Sequence, residues 1–133
     1  MNNEIPPSNP PIQSNNQFIE PAITFSFCQF FKNISQIVYD VAVSKGWWEK
    51  ERNDGEMIAL MHSELSEALE GLRHGDPPSD KIPLFTASEE ELADTIIRIM
   101  DFGHSHKLRI AEAIIAKIEY NKTRPHKHGG KKF

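Results

Sequence analysis

Four separate segments of this chain carry apolar residues at every third or fourth position, and none alternates apolar with polar between turn signals. The first spacing marks one face of an α-helix and the second a half-buried strand, so the pattern restricts the chain to an all-α fold. One segment runs from Phe27 to Ser44, with Phe30, Phe31, Ile34, Ile37, Val38 and Val41 on its stripe. The next opens at Asn53 or Asp54, where Glu56 follows Asn53 by three residues as in a capping box. It continues through Met57, Leu60, Leu65, Ala68 and Leu72 to a stop at Gly75. A third is expected from Ser88, with Glu91 three residues on, through Ile96, Ile97 and Met100 to Gly103. The last spans about Leu108 to Lys122, and Pro125 prevents its extension. Four amphipathic helices joined by short connections predict a four-helix bundle.

With 133 residues the chain suffices for one domain. Residues 1–26 read as a flexible leader, because five of the nine prolines fall there among Asn, Gln and Ser and no apolar period is present. Residues 27–124 form the helical domain and 125–133 a basic tail. At 38% hydrophobic the chain is somewhat poor in apolar residues, which predicts a core completed by oligomerisation. Cys28 is the only cysteine, so an intramolecular disulfide and a cysteine-rich zinc site are excluded. No run approaches the ~18 consecutive apolar residues of a membrane span, and the start lacks a secretory pattern. A cytoplasmic protein with no membrane partner is the expectation.

Charge is distributed unevenly. Residues 117–133 hold six Lys or Arg and one acid, Glu119, a net of +5; residues 1–116 hold nine basic and eighteen acidic groups, a net of −9. The overall −4 argues against a general nucleic-acid binder. Within the acidic part, Glu64-Leu65-Ser66-Glu67 and Glu91-Leu92-Ala93-Asp94 each place two carboxylates on one helix face. If their helices are antiparallel neighbours, four carboxylates meet beside the core. Such a cluster repels itself unless cations neutralise it, and an all-oxygen set suits Mg²⁺ or Mn²⁺. Taken singly, either pair also fits an ordinary solvated helix face. Lys117, Asn121 and Arg124 form one stripe on the last helix, of a chemistry that fits phosphate oxygens as well as a helix C-terminus. Acids and bases together suggest a metal–phosphate site.

The ordered set Glu64-x-x-Glu67, Glu91-x-x-Asp94 and Lys117-x-x-x-Asn121-x-x-Arg124, in the contexts HSELSEALEGLR and EEELADTI, resembles the MazG-like family of all-α nucleoside triphosphate pyrophosphatases. The likeness covers roughly residues 27–128. It implies hydrolysis of a (deoxy)nucleoside triphosphate to the monophosphate and pyrophosphate. It further implies Mg²⁺ held by Glu64, Glu67, Glu91 and Asp94, catalytic roles for Glu64 and Glu67, and phosphate contacts from Lys117, Asn121 and Arg124. A homodimer or homotetramer is implied as well. Some members carry an extra acid before the first glutamate; here that position is Ser63. Trp47 and Trp48 are candidates for stacking on the nucleobase, against the alternative of a core anchor beside an interface residue.

Two other readings are open at this level. A di-iron bundle asks for Glu-x-x-His on two helices, and Asp101-x-x-His104 is the only near match. A non-catalytic oligomeric scaffold would use Lys127, His128, Lys131 and Lys132 to hold acidic partners. His62, two residues before Glu64, points to a different helix face and is not counted as a ligand.

Overall fold

A computed structural model describes residues 18–125. They form four helices: α1 (Pro21–Ser44), α2 (Asp54–Arg73), α3 (Ala87–Ser105) and α4 (Ile110–Lys122). Among the described residues the only extended pairing is a single antiparallel bridge between Pro78 and Thr86. The all-α expectation holds. No helix among the described residues is long and apolar enough to cross a membrane.

Three helix ends differ from the sequence reading. α1 begins six residues before Phe27, so residues 21–26 of the expected leader are helical. Pro21 occupies the first turn, where its missing N–H costs nothing, and Ile23 and Phe27 extend the apolar period. Residues 1–17 of the leader and 126–133 of the basic tail lie outside the described residues. α3 is capped by Thr86 rather than Ser88: Thr86 Oγ1 accepts from the Glu89 backbone at 3.3 Å and Glu89 accepts from the Thr86 backbone at 2.7 Å. Ser88 has another use, donating through both N and Oγ to Asp76 at 2.8 and 2.7 Å. α4 starts at Ile110, two residues later than expected, because residues up to Leu108 close the end of α3.

That closure repeats through the fold. α1, α2 and α3 each end in a Schellman turn, with the backbone N–H groups of Trp47, Asp76 and Leu108 donating to Ala42, Gly71 and Gly103. The left-handed residue of the turn is Gly46 in the first and Gly75 in the second, at φ 82° and 81°. In the third it is Lys107, at φ 55°.

α3 is the central element, packing against α2 on one side and α1 on another, while α4 packs against α1. At Gly71 the helices come so close that a Cβ atom would lie 3.1 Å from that of Ala87. The α2–α3 loop is braced where it meets α3: Ser79 and Lys81 both bind the buried Glu90, and Ser79 N donates to Phe85 O at 2.8 Å. This bracing fixes the first turn of α3 and therefore the position of Glu91. The buried apolar set is small, comprising Met57, Ala68, Met100 and Ala111. Many stripe residues stay open, including Ile37 (62% exposed), Leu72 (57%) and Ile96 (51%).

Candidate metal site

The packing of α2 on α3 brings three of the four expected acids together. Ligand oxygens of Glu64, Glu67 and Glu91 all lie within 4.8 Å of one another. Glu64 and Glu91 are buried and Glu67 is exposed, so the triad forms a notch open on one side. Asp94, one turn after Glu91, stands outside this group but close enough for the Glu64 charge to act on it. Burial, followed by the Glu64 charge, raises the Asp94 carboxyl above its ordinary range.

Glu91 carries the strongest perturbation. Burial, then a hydrogen bond with Glu64, then the charge of Glu67 push its carboxyl from 4.5 up to about 7. Burial disfavours the charged form of Glu91 most, and the neighbouring carboxylates add to it, so its proton is held more tightly than on a free glutamate. Hard oxygen donors without nitrogen or sulfur fit Mg²⁺ or Mn²⁺. The triad is thus a set of oxygen donors spaced closely enough to share one cation.

Part of the compensation comes from a residue that the sequence reading missed. Arg98 on α3 grips Glu64 Oε1 through Nε and Nη2, both at 2.6 Å. It follows Asp94 by four residues, on the same helix face, and that spacing was its available signal. Ser63, in the position of the extra acid, donates to Glu67 Oε1 at 3.4 Å.

Next to Asp94 lies a cavity of about 210 Å³ lined by Trp47, Arg52, Asp94, Arg98 and Asp101 among others. The two tryptophans differ in their freedom. Trp48 Nε1 donates to Asp101 Oδ1 at 3.0 Å, and the Trp48 ring lies 5.6 Å from Tyr39. Arg52 bridges to Asp101 Oδ2 at 3.3 Å and lies 5.4 Å from the Trp47 ring and 5.3 Å from that of Trp48. Trp48 is thus fixed by Asp101 and Tyr39, whereas Trp47 lines the cavity and is 55% exposed. Because Asp101 is engaged by Trp48 and Arg52, and His104 lies 4.8 Å from the Tyr39 ring, the Asp101-x-x-His104 spacing has a packing explanation. His62 is exposed.

The basic stripe stands elsewhere. Lys117 and Asn121 are exposed on α4, with Lys117 Nζ 4.5 Å from the Tyr120 ring centre, and Arg124 is half-buried just past the helix end. α4 packs mainly on α1, whereas α2 packs on α3. Within one chain the stripe therefore lies on a helix whose main contacts are not with the helices that carry the acid triad. Glu119 on α4 accepts from the Ile19 backbone at 2.8 Å and from Lys122 at 2.9 Å, and these bonds hold its carboxyl below the ordinary range. Compared with protein-family models, curated proteins and solved structures, the chain matches none.

Proposed function

We propose that this chain is a Mg²⁺-dependent nucleoside triphosphate pyrophosphohydrolase of the MazG-like kind, acting on (deoxy)nucleoside triphosphates as a homo-oligomer. The observation that carries the reading is the convergence of Glu64, Glu67 and Glu91, with ligand oxygens within 4.8 Å of one another and Asp94 one turn on. An exposed Trp47 and a cavity of about 210 Å³ lined by Trp47, Asp94 and Arg98 support it.

In this reading Glu64, Glu67, Glu91 and Asp94 hold Mg²⁺, with Mn²⁺ as the closest substitute. The bound cation supplies charge neutralisation at the phosphates and a lowered pKa for attacking water. Water oxygen attacks the α-phosphorus, the α–β anhydride bond breaks, and the monophosphate and pyrophosphate leave. Of the two triad glutamates on α2, Glu64 is occupied by Arg98, whereas Glu67 is exposed and has only the long contact to Ser63. Glu67 is therefore the better placed to take the proton of the attacking water. Trp47, 55% exposed with Arg52 on its ring, would stack on the base, whereas Trp48 is held by Asp101. Lys117, Asn121 and Arg124 would bind the outer phosphates, supplied to the acids of one chain by α4 of another.

The test is to incubate purified full-length protein with each ribo- and deoxynucleoside triphosphate and Mg²⁺ and to resolve the products. A monophosphate with pyrophosphate is expected, and Glu67→Ala and Asp94→Ala should each remove it while the helical circular dichroism signal stays. Release of orthophosphate with a diphosphate, or no turnover on any nucleotide, would refute the proposal.

A further inference from the structure

A second cavity lies away from the acids, at the junction of α1, the end of α3 and the α3–α4 turn. It holds about 420 Å³, within the range of pockets that take small organic ligands. His104 in its wall follows Glu91 by thirteen residues on α3, a separation of about 20 Å at 1.5 Å per residue. The cavity is therefore distinct from the acid triad.

Its lining has two characters. Phe31, Met100 and Ile110 give an apolar floor. Lys32, Lys107 and Arg109 give a cationic rim, and Glu112 is the one carboxylate in the lining. None of the three cations takes part in an ion pair among the described residues. This gathering of unmatched positive charge occurs within the part of the chain, residues 1–116, whose net charge is −9.

Lys107 adds a separate observation. It occupies the left-handed position of a Schellman turn, at φ 55°, where the two preceding helices use Gly46 and Gly75. A lysine is strained there and glycine is not, so the turn carries its cation against local backbone preference. Arg109, two residues on, brings a planar fork that matches phosphate oxygens in pairs. The first turn of α4, at Ile110, Ala111 and Glu112, lines the same cavity and has no side-chain cap. Its backbone donors add to the preference for an anion.

We infer that this cavity is a binding site for a small organic phosphate, whose apolar or aromatic body lies on Phe31, Met100 and Ile110 and whose phosphate meets Lys32, Lys107 and Arg109. Cations alone would suit inorganic phosphate and the floor alone an uncharged aromatic; the two together call for a ligand with both parts.

Phenyl phosphate is the probe, titrated into full-length protein by calorimetry with a chelator present, so that the metal site cannot contribute. Inorganic phosphate and phenol serve as its two halves. Saturable binding at one phenyl phosphate per chain is expected, about tenfold or more tighter than either half. Lys107→Asn, which tolerates the left-handed backbone, and Arg109→Gln should each weaken it about tenfold with the melting temperature retained. Glu67→Gln should leave it unchanged. Absence of saturable binding, equal affinity for inorganic phosphate, or loss in Glu67→Gln with none in the cation variants would each overturn the inference.

Discussion

Replacing Glu91 by glutamine should flatten the pH dependence of stability in chelator-treated protein. The Glu91 carboxyl stands at about 7 in the folded chain against an ordinary 4.5. Between those values the folded state keeps a proton that the unfolded state has lost. Stability from this group is therefore full below pH 4.5 and is lost as the pH rises through 7. Between about pH 5.5 and about pH 8 the loss amounts to about 2 kcal/mol, and nearer 1 where water reaches the exposed Glu67 and screens its charge. Asp94 is raised too and contributes with the same sign, but it is present in both proteins and largely cancels from their difference. Asp76, Glu90 and Glu119 are held low, so they are ionised in both states across this window and add no slope. Urea unfolding followed by helical circular dichroism at the two pH values gives the measurement. Wild type should lose about 1–2 kcal/mol on going to the higher pH and Glu91→Gln markedly less. Equal losses in the two proteins would refute the assignment of the proton to Glu91. Saturating Mg²⁺ should reverse the wild-type trend, because the cation competes with the proton for the same oxygens.

Arg98→Ala removes the one cation that grips the buried Glu64 among the described residues and should cost about 2–3 kcal/mol without metal, a loss that Mg²⁺ partly restores in a thermal melt. Gly71→Val introduces bulk where even a Cβ would lie 3.1 Å from Ala87. It should destabilise the α2–α3 contact by about 1–3 kcal/mol in urea unfolding. Ile37→Glu, at a position 62% exposed in the single chain, should shift the species seen by analytical ultracentrifugation toward monomer. No change in mass would place Ile37 outside the interface between copies.

The helices were legible because each rests on a local period, and local signals also gave the Asn53 cap, whose side chain accepts from Glu56 N at 3.0 Å, and the Gly75 stop. What the sequence concealed depends on contacts between distant residues. Thr86-x-x-Glu89 and Ser88-x-x-Glu91 both satisfy the capping-box pattern; only Asp76, across the loop, decides by claiming Ser88. The start of α1 was masked by proline composition, although Pro21 is well suited to a first turn. At the site, the two carboxylate pairs were visible as i, i+3 spacings, but the division of their four members was not. Glu91 joins Glu64 and Glu67 while Asp94 turns toward the cavity of Arg98 and Trp47, an outcome of how α3 is rotated against α2. Trp48 was read as a possible base-stacking ring, and its hydrogen bond to Asp101, fifty-three residues away, could not be seen from either residue's neighbours.

Two deficits of the single chain point the same way. The buried apolar set contains no large side chain with less than 2% exposure, while apolar stripes on α1, α2 and α3 remain open to water. Burial at roughly 25 cal/mol per Å² is the main source of folding free energy, so covering these stripes would add to the stability of a domain this small. The second deficit is chemical. The acids of α2 and α3 lack a full complement of counter-charge, and the exposed cation of Lys117 lies on α4, which packs elsewhere. A second copy laid against the open stripes would cover the apolar area, and one that also set its α4 beside the triad would bring the stripe of Lys117, Asn121 and Arg124 to the metal. On the proposed reading, stability and phosphate binding would then depend on the same contact, so a variant such as Ile37→Glu that weakens association should lower turnover and melting temperature together. A monomer with full activity would separate the two, and would require the outer phosphates to be held by α2 and α3 alone.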